Sequence, residues 1–130
     1  MLSQIIENDY QYGRGKEGEV LTIMENYFKD NIKQTAQRYD TKDYLGEKYK
    51  YELKSRRNKY NAFPTTLMPM DKTGDNVILL FNFTDGLYFI KYDKEIFSKF
   101  KTGLFQRKDG GQNNPNKVYY YIPIEKLQKI

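Results

Sequence analysis

The chain has 130 residues, 38% of them hydrophobic and 30% charged, and a formal net charge of +5. That is the length of one domain with a real core, and 13 Tyr and 8 Phe supply an apolar bulk that a disordered chain lacks. With no Cys and no His, disulfides, structural zinc, thiol nucleophiles and His-based triads or general bases are excluded, which leaves carboxylates, lysines, hydroxyls or a hard metal ion to carry any chemistry.

No apolar run approaches the ~20 residues that span a bilayer, and the amino terminus shows no basic segment followed by an apolar one. The expectation is a cytoplasmic protein (host cytoplasm if the source is viral) with no membrane partner. The positive charge is local: Lys48 to Lys59 holds six bases and one acid. A concentrated basic stretch favours a polyanion, most often nucleic acid, against the plainer alternative of a lysine-rich surface.

Residues 1–15 are polar, and Gly13-Arg14-Gly15 breaks structure before a helical pattern begins. From Glu19 to Ile32 the apolar residues Val20, Leu21, Ile23, Met24, Tyr27, Phe28 and Ile32 recur at steps of three and four, the mark of an amphipathic helix. Glu19 sits at the amino-terminal edge of that stripe, where it either faces a site at the end of a sheet or favours the helix start electrostatically.

Thr35 to Tyr44 reads as a strand, Leu45 to Lys48 as a turn and Tyr49 to Arg56 as the antiparallel partner. Alternation puts Lys50, Glu52, Lys54 and Arg56 on one face and Tyr49, Tyr51, Leu53 and Ser55 on the other. If Tyr44 faces Tyr49, Asp43 shares a face with Glu52, whereas a slip of one residue brings Asp40 there instead. Two neighbouring carboxylates repel each other unless a divalent cation lies between them, and an oxygen-only donor set suits Mg²⁺ or Mn²⁺. Lys54, on the same face, can orient or deprotonate a water, and Arg56 can steady negative charge developing on a phosphate. This chemistry hydrolyses phosphodiesters.

Further along, Asn58 to Met70 reads as a connection containing Pro64 and Pro69. Thr65 is open to phosphate contact, Thr66 is expected to be structural, and Lys72 is either a further contact near the site or a solvated lysine beside Asp71. Val77 to Phe83 and Leu87 to Tyr92 read as a core hairpin across Thr84-Asp85-Gly86, and Glu95 to Lys101 as a short helix ended by Gly103. Gln106 to Lys117 reads as a polar loop whose Arg107, Lys108 and Lys117 either follow a DNA groove or only join elements. Lys117 to Ile124 reads as a last strand with a terminal helical turn after it. No repeat and no long linker divides the chain, so one domain over 1–130 is expected.

The order Glu19, Asp43, then Glu52-Leu53-Lys54 resembles the PD-(D/E)XK nuclease superfamily, and Gly15-Lys16-Glu17-Gly18-Glu19 is similar to the Gly-x-x-x-Glu of its resolvase-like members. Glu-Leu-Lys-Ser-Arg followed by Asn58 and Pro64-Thr65-Thr66 resembles short nuclease-like proteins of phages and large DNA viruses. Lys42, and not proline, precedes Asp43. The resemblance covers roughly Gly15 to Tyr92. It implies an α/β fold with a restriction-endonuclease-like αβββαβ core, a central mixed β-sheet flanked by helices, and a Mg²⁺-dependent deoxyribonuclease, an endonuclease, in which Mn²⁺ can substitute. Glu19, Asp43 and Glu52 are then the catalytic metal ligands, Lys54 acts on the attacking water, and Arg56, Arg57, Lys59, Thr65 and Lys72 contact DNA. No organic cofactor is implied. Cutting both strands in one encounter favours a homodimer. The competing classes are a non-catalytic DNA-binding or protein-interaction module on the same fold, and an RNA-directed nuclease.

Overall fold

The computed structural model describes residues 19–34, 44–105, 108–109, 112–113 and 117–130. A helix over residues 19–28 (α1) is followed by the strands β1 (Ile32–Gln34), β2 (Tyr44–Gly46), β3 (Lys50–Ser55) and β4 (Thr65–Pro69) and a 3-10 turn at Met70–Lys72. Then come β5 (Val77–Phe83), β6 (Gly86–Lys91), a short helix α2 (Lys94–Phe97), β7 (Lys101–Phe105), β8 (Lys108–Asp109), β9 (Gln112–Asn113) and β10 (Lys117–Pro123). A second 3-10 turn (Ile124–Lys126) and β11 (Gln128–Lys129) complete the described elements.

Six strands form one mixed sheet in the order β1-β2-β3-β5-β6-β11, and β4-β10-β7 form a second. In the larger sheet β3 and β5 run parallel, while its other neighbours pair antiparallel. The class is therefore α/β with a mixed sheet and few helices. β5 shows why it lies in the middle: Val-Ile-Leu-Leu-Phe-Asn-Phe is apolar on both faces and buried almost throughout. Ile78 and Leu80 point to a core shared with Val20 and Met24 of α1, Tyr44, Tyr51 and Leu53. Val77, Leu79, Phe81 and Phe83 point the other way, against Met68, Tyr120 and Ile122 of the second sheet and Phe97 of α2. The larger sheet, expected to be flanked by helices, is thus covered by α1 on one face and chiefly by another sheet on the other.

The Val77 to Phe83 strand, its hairpin partner, the last strand and the helical turn after it form where the sequence pattern puts them. Other elements differ. The first helix ends at residue 28, because Lys29 takes a left-handed backbone (φ 50°) and Ile32 already belongs to β1. Its buried stripe runs through Val20, Met24 and Phe28, leaving Ile23 and Tyr27 exposed. Residues 65–69, read as connection, form β4, with Thr66 and Met68 turned inward. Between β3 and β5, where the αβββαβ pattern has a helix, the chain runs through β4 and the 3-10 turn instead.

α2 is one turn long, with Asp93 capping its first amides, Phe97 buried, and Ile96 exposed. Gly103 lies inside β7, since Tyr121 of the neighbouring β10 packs so closely over it that a Cβ there would sit 2.7 Å from the phenolic oxygen. Of the Gln106 to Lys117 loop, β8 and β9 pair with each other, and Arg107 lies outside the described residues.

Candidate functional site

Among the described residues two buried acids are held in opposite ways, and one was not anticipated from sequence. Asp30 follows the end of α1 and is 7% exposed. Its Oδ1 accepts from the amides of Glu47 (2.9 Å) and Lys48 (3.2 Å), and its Oδ2 accepts from those of Lys48 (3.1 Å) and Tyr49 (3.3 Å) and from the Tyr51 hydroxyl (2.7 Å). Burial pushes the Asp30 pKa up, but the bonds from Tyr51 and the three amides outweigh it, so the carboxyl lies below its ordinary value. The Tyr51 hydroxyl is pushed well above its ordinary range by burial and by the same carboxylate. Gly46 is required here: a Cβ would fall 2.1 Å from Asp30 Oδ2 and 2.8 Å from the Tyr51 ring.

This carboxylate explains a register correction. Wrapping the loop amides around Asp30 lengthens the β2–β3 turn, so Tyr44 pairs with Tyr51 rather than Tyr49. The shift is two residues, and a shift of two leaves every side chain on its expected face.

Glu52 occupies the middle of β3. In the parallel register it lies beside Leu79, and Lys54 beside Phe81, which puts both on the face that meets the second sheet. Its side chain is 1% exposed. Lys54 Nζ stands 3.2 Å and Lys72 Nζ 3.5 Å from Glu52 Oε1. Lys54 arrives through strand alternation, whereas Lys72 is carried over the sheet by β4 and the 3-10 turn. Both lysines are partly exposed, at 29% and 19%. Isolated burial of a carboxylate costs several kcal/mol, and the two ammonium groups offset it.

Arg56 continues the same face but is turned inward. Its Nε donates to Thr66 Oγ1 (3.2 Å), one terminal nitrogen donates to the Leu67 carbonyl, and the guanidinium lies 5.6 Å from the centre of the Phe81 ring. Burial lowers its pKa from the ordinary value. Thr66 is structural, as its sequence context suggested: it is buried and accepts from Arg56. Thr65 is half-buried at the start of β4, while Arg57 and Lys59 are exposed in the loop after β3. That loop is tied to the β5–β6 turn by the Thr84 amide donating to Asn58 and the Tyr60 amide donating to Asp85, the turn role expected of Asp85.

The structure therefore brings Glu52, Lys54 and Lys72 together and puts Arg56 next along the strand. It does not bring Glu19 to them: Glu19 is exposed and opens α1, which packs on the opposite, Tyr51 and Leu53, face. Asp43 and Asp40 lie outside the described residues. Among the described residues, no three Asp, Glu, His or Cys side chains converge on a point. Glu52 fits a hard cation in donor type, since a chain without His and Cys has oxygen ligands to offer such an ion. Also among the described residues, no helix is long and apolar enough to cross a membrane.

Beyond Arg56, an open cleft of about 390 Å³ lies between the end of β3, the 60–67 segment and the second sheet, with Phe63, Leu67, Phe83 and Ile124 among its walls. Glu52, Lys54 and Lys72 are not part of it. Comparison of the chain with protein-family models, with curated proteins and with solved structures finds no match.

Proposed function

We propose that this chain is a Mg²⁺-dependent deoxyribonuclease, with Mn²⁺ as a substitute, built on the αβββ half of a restriction-endonuclease-like core and acting in the cytoplasm. The observation that supports it is the Glu52–Lys54–Lys72 group: an acid buried in the middle of a sheet, with a lysine two residues on and a second brought in from a distant turn. A buried ion-paired acid is weak evidence of a stabilising role, and ionisable groups in unusual environments gather at functional sites.

In this reading Glu52 and Asp43 hold the metal. Asp43 directly precedes Tyr44 in sequence, and Tyr44 pairs with Tyr51, the neighbour of Glu52. When bound, the cation polarises the scissile phosphoryl group and lowers the pKa of a water. Lys54 would orient a water and neutralise charge on the phosphate, and Lys72, which approaches the same Glu52 oxygen, would share the task. Arg57, Lys59 and Thr65 hold neighbouring phosphates. Arg56 shapes the wall between these groups, with two of its donors already committed to Thr66 and Leu67. Glu19 has no part in the ligand set. Cutting a duplex with one site per chain calls for a homodimer.

One observation favours a second reading. Both lysines already ion-pair with Glu52, an arrangement that also suits a module that binds DNA without cutting it. Incubation of supercoiled plasmid and of single-stranded circular DNA with Mg²⁺, Mn²⁺ or EDTA separates the two. A nuclease nicks or linearises the plasmid or cuts the single-stranded circle with either metal and not with EDTA, and Glu52→Gln and Lys54→Met lose that activity while still binding DNA. Plasmid and single-stranded circular DNA that both stay intact with both metals, alongside retained DNA binding, support the binding module.

A further inference from the structure

The cleft beyond Arg56 combines two properties that a plain surface groove does not. Its walls are mostly apolar and aromatic, and Phe63 stands at 61% exposure among them, a large ring left in water. Tyr60 forms a fixed flank, stacked on Tyr88 at 4.1 Å with its hydroxyl donating to the Ile124 carbonyl at 2.8 Å. The cleft is therefore largely preformed. Its polar end is Arg56, whose charge faces neutral acceptors, Thr66 and Leu67, and has no carboxylate partner among the described residues. A guanidinium has more N–H donors than those two bonds use. A partly desolvated cation without a counter-charge, next to an apolar slot, is complementary to an anion attached to a flat apolar body.

We infer that this cleft binds one unpaired nucleotide of a single strand, its base stacked on Phe63 and its phosphate on Arg56. Asn58 and Thr65, both lining the cleft, supply an amide and a hydroxyl for base edges. The exposed Arg57 and Lys59 extend positive charge along the adjoining strand. Arg56 is four residues from Glu52, about 13 Å of extended strand, so the cleft lies within a few nucleotides of the proposed cleavage position. The inference rests on the nuclease reading for that distance, but the binding itself does not depend on cleavage. It narrows the substrate to single-stranded or frayed nucleic acid, because a base inside a duplex cannot enter a side cleft without unstacking.

The test is fluorescence anisotropy of labelled dT₈, of U₈ and of a blunt 16-bp duplex, in EDTA so that no cutting intervenes. Wild type, Phe63→Ala, Phe63→Trp and Lys59→Ala are compared, all three substitutions lying at exposed positions where the fold is not at stake. Phe63→Ala should weaken dT₈ binding by about 5- to 150-fold, the loss of one base–aromatic stack, leave duplex binding within about twofold, and be rescued by Phe63→Trp. Lys59→Ala should weaken single strand and duplex alike, as loss of a phosphate contact does. U₈ bound as well as dT₈ assigns the recognition to base and phosphate, and U₈ bound more weakly restricts it to DNA. The inference is overturned if dT₈ does not bind, if Phe63→Ala leaves dT₈ affinity unchanged, or if duplex affinity falls equally. Failure of the nuclease reading shows separately, as plasmid and single-stranded circular DNA both left intact with Mg²⁺ and Mn²⁺, and does not alter the anisotropy result.

Discussion

Asp30 and Glu52 are both buried acids, yet their partners differ in kind. Asp30 is held by three backbone amides and a phenol, donors fixed in place by the fold. Glu52 is held by two lysines at the ends of flexible stems that retain access to water. Neutral, immobile donors make a carboxylate part of the scaffold. Charged, mobile ones leave it able to exchange its partners for a ligand. The comparison gives the first acid a role in stability and, under the proposed function, the second a role in chemistry, and each half can be broken separately.

The largest effect on folding is expected from Asp30→Ala, which strands three amides and the Tyr51 hydroxyl in a buried turn. A loss of about 4 kcal/mol should appear in urea denaturation, and a loss under ~1 kcal/mol would sink the scaffold role. Gly46→Ala forces a methyl into the same space and should cost about 1–3 kcal/mol, read by the same titration. Tyr51→Phe removes one bond to a charged acceptor and should cost about 1.5–3 kcal/mol.

The pH dependence follows from the sign of the Asp30 shift. Its folded pKa lies below the unfolded one, so between the two the unfolded chain binds more protons and stability rises with pH. That contribution is fully present above the ordinary carboxylate range and is lost as pH falls through the folded pKa. Denaturation curves from pH 7 down to pH 3 should show the loss in wild type, and Asp30→Asn should lack this component.

The smallest stability effect belongs to Glu52→Gln, about 1 kcal/mol, because Lys54 and Lys72 can turn outward once the charge is gone. Stability held with cleavage abolished would sharpen the contrast between the two acids. A collapse in stability equal to that of Asp30→Ala would erase it.

What the sequence made readable followed local periodicity. The Glu52 and Lys54 face was legible because strand alternation is a local rule, and Val77 to Phe83 because a continuous apolar run has few other homes. β4 was hidden by its own composition. Pro64 and Pro69 bracket Thr65 to Met68, and prolines argue against a strand unless its neighbours supply the pairing, as β10 does here. The Gly103 strand was hidden likewise, its glycine signalling a stop when its cause is the Tyr121 ring on the next strand. Lys72 and Asp30 act across long separations that no periodicity records. Asp30 was hidden further because the helical pattern ran on to Ile32, so an acid that in fact follows the helix end and accepts from the Glu47 amide seventeen residues on read as one more helical position.

The parallel pairing of β3 with β5 has a further consequence. Strands that run the same way cannot be joined by a tight turn, so the intervening chain must leave the sheet and return, and Lys72 rides on that excursion. Both ends of the excursion are clamped, by β4 on β10 and by β5 on β3, while the 3-10 turn between them has no buried residue. Lengthening or trimming that turn by one residue therefore repositions the second lysine over Glu52 while both ladders keep their register. Only Met70 of that turn packs against the core, so variation at its other positions can shift the lysine beside Glu52 without rebuilding either sheet.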